Sequence, residues 1–450
     1  MDGIIIVGGG AAGLMAGIGA ASQIYTQSGK LPTKGQITII EKMPRPARKM
    51  MITGKGRCNF TNVKVWSEFS EHIYPKANFI KPAFFNLNSE KIVNNFEEWG
   101  LPTVIERGDR AYPQSYRASD VIDLLVNRNK ELGVEIICDS TIEEINYIDK
   151  MFHLINTKGK KFDAKKLIIC TGGLSYPTTG CTGEGYLWAK SLGHSLSTCF
   201  PSLTALVPRN YKIEIDRKDR KKGKDGKDGK GHIERSCPLS EVGEALKGIQ
   251  LKNVGVELII DEQVVRSEFG DIDFTDGGIE GPIGFKLSRR AVKSIINGSK
   301  VKLNIDLKPA VSLEDVDKRI ISLWDEISKD RRNAKLNERT KLRVLFGKVA
   351  PLSLFTGFMK YHPNVKHYSL AKSLKEWTIE IAGYVGYERC VITAGGISTS
   401  EIVGKTMESK LIPGLYFAGE LIDMDADTGG YNLQLAFSSG YLAGENAAKE

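Results

Sequence analysis

No two of the seven cysteines lie in a Cys-x-x-Cys pair: Cys58, Cys138, Cys170, Cys181, Cys199, Cys237 and Cys390 are scattered and odd in number. This argues against a dithiol redox motif, a zinc site and a disulfide framework alike. The six histidines are equally dispersed, with only His362 and His367 close together, so no metal is expected. Long apolar runs are also missing. Residues 3–21 are hydrophobic enough to suggest a leader, but no basic segment precedes them and three consecutive glycines interrupt them. Nothing elsewhere reaches the length of a membrane span, and a cytoplasmic protein without a membrane partner is expected. Charge of one sign is only in moderate excess, at +9, and a good part of it falls in Asp216–Gly231. That Lys/Asp/Gly segment has no aromatic or apolar side chain. A nucleic-acid footprint interleaves cations with aromatics on a folded face, so the segment reads as a solvated loop.

What is present is an ordinary globular composition over 450 residues, enough for two or three domains. Its most informative stretch is Ile4-Ile5-Ile6-Val7-Gly8-Gly9-Gly10-Ala11-Ala12-Gly13. An apolar strand here feeds a Gly-x-Gly-x-x-Gly turn and a small-residue helix. Gly8 permits the tight turn, Gly10 the approach of a pyrophosphate, and Gly13 close packing of helix on sheet; the helix N-terminus favours the phosphate charge. A second strand, Gln36–Ile40, ends in Glu41, the position of a ribose-binding acid. Glu41 comes late because the polar stretch Thr26–Gly35 lengthens the loop before it. The predicted fold class is α/β with a Rossmann-type nucleotide domain.

Ser119–Leu132 is an amphipathic helix with Ser119 as N-cap, leading to a third strand at Val134–Ile137. A polar β-ribbon follows over Ile142–Ile155, and then a buried strand, Lys166–Cys170, ends in Thr171-Gly172-Gly173. From about Pro201, short strands (Thr204–Val207, Lys247–Leu251, Val254–Ile260, Gly270–Phe274) alternate with turns. Helical stretches are inserted at Pro282–Asn297, Leu313–Lys329 and Glu338–Lys348, and Trp377–Ile381 closes the insertion. A late strand, Ile412–Ala418, then runs into Gly419-Glu420, about ten residues before Gly429-Gly430-Tyr431-Asn432 and a final helix. A late strand ending in Gly-Glu, followed by a helix aimed at a flavin's pyrimidine edge, favours FAD over NAD as the bound dinucleotide.

Four segments carry a wider resemblance: Gly54-Lys55-Gly56-Arg57-Cys58-Asn59-Phe60-Thr61-Asn62, Thr171–Gly180, Thr393-Ala394-Gly395-Gly396-Ile397, and Gly419-Glu420 through Asn432. The chain resembles the BaiN-like, or aminoacetone-oxidase-family, FAD-dependent oxidoreductases of bacteria, from its first strand to its last helix. The resemblance implies a glutathione-reductase-like FAD domain with an inserted β-barrel-like domain and a helical subdomain. The expected boundaries are 1–200 plus 385–450 for the FAD domain, 201–280 plus 349–384 for the β domain, and 281–348 for the helical subdomain. It implies non-covalent FAD held at Gly10, Ala12, Glu41, Lys42, Asn59, Thr171, Gly172, Gly419, Glu420 and Asn432. Gly8, Gly13 and Gly430 complete the expected cofactor set.

The expected reaction is hydride transfer between flavin N5 and a small or conjugated organic substrate, with NAD(P)H as electron donor. An oxygen-dependent oxidase of an amine such as aminoacetone is one alternative, and a non-catalytic flavin-binding or RNA-associated protein is another. The catalytic candidates are Arg57, for an anionic substrate or the reduced flavin, and Tyr176, as a proton donor; loop closure and packing are their bland counterparts. Cys58 reads as a packing residue, Tyr186 and Tyr431 share the ambiguity of Tyr176, and Asp423, Asp425 and Asp427 read as a solvated loop. One departure stands out. Family members tend to show His-x-Gly-x-Ser-Gly-Pro where this chain has Asp276-Gly277-Gly278-Ile279-Glu280-Gly281-Pro282, without the His or the Ser.

Overall fold

A computed structural model describes residues 3–213 and 230–449. The first strand, β1 (Ile4–Val7), consists of four consecutive β-branched residues buried on both faces, the mark of a strand inside a parallel sheet. It enters helix α1 (Ala11–Ser28), and the chain returns as β2 (Ile37–Ile40) in parallel register beside it, Ile4 opposite Ile37 and Val7 opposite Ile40. Glu135–Ile137 pairs parallel to the outer side of β2, the third-strand position. Lys166–Ile169 pairs parallel to the other side of β1, and Leu415–Phe417 pairs beside that. With Ile402–Val403 and Glu408–Ser409 on the far edge, the sheet has seven strands. The helix expected from Ser119 begins one residue earlier, at Ala118. Its N-cap is Arg117, whose side chain has no acceptor to offer the helix amides, and the Ser119 hydroxyl bonds Asp120 Oδ1 at 3.0 Å.

The last helix, Tyr431–Ala447, lies against α1. The two backbones come so close that a Cβ on Gly440 would overlap the Ala12 carbonyl, and one on Gly444 the Ala16 carbonyl. Small residues at these positions exist for this contact rather than for flexibility.

The chain divides into two compact units: Met1–Cys199 with Ile392–Glu450, and Phe200–Val391. The second unit is built on a closed six-stranded barrel. Two strands expected at Lys247–Leu251 and Val254–Ile260 are one strand, Gln250–Ile260, with a register irregularity between Leu251 and Val254 where Asn253 adopts φ 54°. The strand expected at Gly270–Phe274 starts at Gln263. Asp261 and Glu262, at φ 47° and 65°, make the tight turn that joins the two strands into a hairpin. Trp377–Tyr384 closes the barrel against Val301–Asp306 and Leu206–Pro208. The helices Gly281–Ile296, Leu313–Lys329 and Glu338–Val349 fall within this second unit. So do residues 385–391, tied back by Val385 N to Ala205 O at 3.1 Å and Val391 N to Leu203 O at 3.1 Å.

The basic segment from residue 216 lies outside the described residues as far as residue 229. Among the described residues no helix is long and apolar enough to cross a membrane. Among them also, no group of three or more His, Cys, Asp or Glu side chains gathers as metal ligands would.

Candidate functional site

The glycine turn is shaped by contacts that leave no room for side chains. Gly8, at φ 103°, donates its N–H to Ile40 O at 2.8 Å, and a Cβ there would overlap the Cys170 carbonyl. A Cβ on Gly13 would overlap the Gly8 carbonyl, so α1 can reach the end of β1 only with glycine at that position. Gly10 is different: it caps α1, and nothing lies within 4 Å of where its Cβ would be. The first intrahelical bond is Leu14 N to Gly10 O at 3.0 Å. The amides of Ala11, Ala12 and Gly13 therefore sit at an 18-residue helix end with no side-chain cap, beside open space. That is an anion-binding arrangement.

Glu41 lies at the tip of β2 and is 9% exposed. Its Oε2 accepts from Gly9 N at 2.7 Å and its Oε1 from Met43 N at 2.8 Å. Burial pushes its carboxyl pKa above the ordinary value, while these N–H donors and Lys42 pull the other way. Lys42 donates to Glu184 Oε1 at 2.6 Å and Thr182 Oγ1 at 2.5 Å. Burial of Glu184 works against its ionisation, but Lys42 and Thr182 outweigh it and hold the pKa low. Glu41, Lys42, Glu184, Gly8, Thr171 and Trp188 share the lining of one cleft. Gly172, at φ 73°, brings the neighbouring strand tip past Cys181, whose sulfur leaves no space for a Cβ.

A second cluster draws in four distant segments. Glu420 Oε1 accepts from Ser175 Oγ at 2.6 Å and Thr393 N at 2.9 Å, and Glu420 Oε2 accepts from Lys49 Nζ at 2.5 Å. Lys49 also donates to Ser175, while Thr393 Oγ1 accepts from Leu174 N at 2.8 Å and Ser175 N at 3.1 Å. The Glu420 carboxylate is thus the hub that fixes the 173–175 turn. Sequence reasoning found Glu420 but missed Lys49, Ser175 and Thr393 as its partners. Ser175 and Thr393 lie inside the Thr171–Gly180 and Thr393–Ile397 segments; nothing local distinguishes Lys49 from Arg48.

Asn59 sits in a loop where Cys58 takes φ 56°, and its Oδ1 is buried with no hydrogen-bond partner. It lies beside Gly430, the φ 95° cap of the last helix. The side chain of Asn432 is committed to the preceding turn: Oδ1 accepts from Ala426 N at 2.9 Å, and Nδ2 donates to Ala426 O at 2.8 Å and Asp427 O at 3.3 Å. What the helix start offers a ligand is therefore backbone amide.

Arg57 is about half exposed, lies over the Tyr112 ring at 4.9 Å and the Tyr116 ring at 5.8 Å, and approaches Glu106 at 3.8 Å. Those contacts are loop-closing ones. Tyr176 follows Ser175 directly and holds φ 52°, its carbonyl accepting from Thr179 Oγ1 at 2.7 Å. Cys58 is fully buried, and burial pushes its thiol up to about 12, which fits packing. Tyr186 donates to Glu420 O at 3.4 Å, and Tyr431 stacks on His72 at 4.3 Å. The expectation of a solvated loop at Asp423, Asp425 and Asp427 is corrected. Asp425 and Asp427 are buried because Asp425–Ala426 pairs with Ile73–Tyr74 and Asp427 pairs with His72 at 2.9 Å; Asp423 accepts from Ser197 Oγ at 2.6 Å.

In the second unit the departing motif has its own partner. Arg389 Nη1 contacts Asp276 Oδ1 at 2.6 Å and its Nε lies 2.8 Å from Glu280 Oε1, so the two carboxylates grip one guanidinium.

The family model described as the HI0933-like protein Rossmann domain matches residues 2–446. The chain is 27% identical over 460 residues to a 3-dehydro-bile acid delta(4,6)-reductase of Clostridium scindens, covering 100% of both proteins. It is 26% identical over 458 residues to a ribosomal RNA dihydrouridine synthase of Haemophilus influenzae, covering 99% of this chain and 98% of that one. Among solved structures, a 3-ketosteroid-delta4-(5alpha)-dehydrogenase from Rhodococcus jostii RHA1 aligns with a TM-score of 0.49 and 14% identity, over 99% of this chain and 96% of that chain.

Proposed function

The chain belongs to the HI0933-like Rossmann-domain family and is an FAD-dependent oxidoreductase, and from that premise we propose that it saturates a ring C=C bond conjugated to a carbonyl, with NAD(P)H as the source of electrons. The observation that carries this reading is the end-to-end likeness to a delta(4,6)-reductase and to a dihydrouridine synthase, two names that both describe adding hydrogen to an unsaturated ring.

The residues fit the dinucleotide. The amide end of α1, with Ala12 and the open side of Gly10, would hold the pyrophosphate, and Gly8 and Gly13 give the turn the shape this needs. Glu41 offers each carboxylate oxygen's remaining lone pair to an adenosine ribose, with Lys42 beside it and Thr171 and Gly172 along the path. The buried Asn59 Oδ1 is an acceptor in want of a donor, which an imide N–H of a bound flavin would supply. Gly430 and the first amides of the Tyr431–Ala447 helix stabilise negative charge on that ring. Gly419 and Glu420 act through position: the carboxylate is engaged by Lys49, Ser175 and Thr393 and holds the turn that carries Tyr176. FAD, when bound, supplies hydride transfer at the isoalloxazine ring. Tyr176 is the proton donor we favour, because Ser175 anchors it to that network, whereas Arg57 is spent on closing its loop.

The test is an anaerobic titration of the purified yellow protein. NADH or NADPH should bleach the flavin absorbance, and a conjugated enone should restore it. A spectrum untouched by either nicotinamide, with peroxide formed from aminoacetone in air, would replace the reductase reading with an amine oxidase.

A further inference from the structure

A concentration of positive charge with few carboxylate partners lies in the helical part of the second unit. Residues 329–348 hold eight Lys or Arg against two Asp or Glu, a net +6 within a chain of +9. Lys329 is paired with Asp325 at 2.5 Å and Arg332 with Asp330 at 2.8 Å. Arg331, Lys335, Arg339, Lys341, Arg343 and Lys348 have no carboxylate within ion-pair distance among the described residues. The helix Glu338–Val349 buries Leu342, Leu345 and Phe346, which turns Arg339 and Arg343 outward. These two arginines are one turn apart, about 6 Å along the axis.

The charge is not merely spread over a convex face. Arg339, Thr340, Arg343 and Thr356 line a groove of about 400 Å³ whose apolar floor includes Phe355, with Lys360 at its side paired to Glu241 at 2.6 Å. Arg343 sits 6.0 Å from the centre of that ring, and Phe355 is itself buried, so no exposed ring in the groove can stack on a base. Asn337 caps the helix through Thr340 N at 2.8 Å, placing the helix's positive end at the groove. Guanidinium groups at turn spacing, hydroxyls between them and a helix N-terminus suit phosphate oxygens. A lipid surface needs an exposed apolar stripe, and the apolar side of this helix is already buried.

We propose that the Arg339–Arg343 groove is a docking surface for the phosphodiester backbone of RNA, gripping the strand without reading its sequence. The choice of RNA rests on the proposed saturation of a carbonyl-conjugated ring C=C, a bond that each uracil ring of an RNA carries; the groove itself rests only on charge and shape. On this proposal the chain's nucleic-acid surface is a folded one, distinct from the Asp216–Gly231 segment that draws the eye in the sequence.

The experiment uses the full-length holoenzyme and a fluorescein-labelled mixed-sequence RNA 24-mer, with anisotropy read from 50 to 300 mM salt. Wild type should bind with a Kd that weakens steeply with salt. R339E/R343E should lose about 10-fold or more in affinity at 100 mM salt and lower the log–log salt slope by about 1.4, while R339K/R343K retains most of the binding. Removal of residues 216–231 should leave the Kd within about 3-fold. Unlabelled DNA of the same sequence should compete within several-fold, because phosphates carry the contact. Vesicles of phosphatidylglycerol, or polyglutamate at equal charge, should not. Unchanged affinity in R339E/R343E, absence of RNA binding by wild type at 50 mM salt, or equal competition by polyglutamate or vesicles would overturn the proposal. Bleaching of the flavin by NAD(P)H in the same R339E/R343E preparation reports on the reductase reading separately, so either idea can fail while the other stands.

Discussion

Two glycines three residues apart make opposite demands on the chain. Gly13 touches the Gly8 carbonyl, so Gly13→Ala forces strand and helix apart; we expect about 1–3 kcal/mol lost and poor recovery of folded protein, measured by denaturant unfolding. Gly10 faces open space, so Gly10→Ala should fold with a near-wild-type Tm yet retain FAD poorly, measured by flavin-to-protein absorbance after dialysis. Equal Tm losses in the two variants would contradict this division of labour. His362 offers a second test at this scale. It is largely buried, packs tilted against the Phe358 ring at 4.5 Å, and burial alone pulls its pKa below the ordinary imidazole value. In the window between the lowered folded value and about 6.5 the unfolded chain binds more protons, so stability falls as pH falls through it. His362→Phe, which keeps a ring against Phe358, should flatten the decline of Tm between pH 7 and 5; a decline as steep as wild type would remove His362 as its source.

At the scale of elements, the first unit is held by contacts between segments far apart in sequence. Lys49, Ser175, Thr393 and Glu420 meet although up to 371 residues separate Lys49 from Glu420. The side chains of Lys49 and Glu420 are mostly buried, so removing one partner leaves a charge in a poor environment. Glu420→Gln and Lys49→Met should each lower stability and FAD retention, and the double variant should lose less than the sum, with a coupling of about 0.5–3 kcal/mol by urea unfolding. Simple additivity would mean that the ion pair does not organise the turn. Much of this scale was legible beforehand. Ile4–Val7, Ile37–Ile40 and Lys166–Ile169 are short runs rich in β-branched and other apolar residues that end in turn residues, the pattern of buried parallel strands. The irregularities were not legible. Asn253 interrupts a strand without ending it, and Arg117 rather than Ser119 precedes the helix, because neighbouring strands and side chains decide those details.

For the whole molecule, the division into two compact units has a thermodynamic consequence. Each has its own buried core, so calorimetric unfolding of the apoprotein should resolve two transitions. Excess FAD should raise the one belonging to the first unit, by about 2.7 kcal/mol at 100 times Kd. A single transition, or an equal shift of both, would show that the units unfold together. The nucleotide-binding unit is legible from local pattern alone. Gly8, Gly10, Gly13 and Glu41 act within one strand–turn–helix–strand segment, where local backbone limits and hydrophobic pattern suffice to fix the geometry. It also marked Gly419-Glu420 and Gly429-Gly430 as the distant return of the same unit. What those residues touch depends on long-range folding: Glu420 serves a lysine, Asn432 serves its own turn, and Asp425 and Asp427 are buried. The same holds for charge. Composition drew attention to residues 216–231, but whether a cation is neutralised depends on carboxylates brought near by folding. That placed the unneutralised arginines on the Glu338–Val349 helix, where no local pattern announced them.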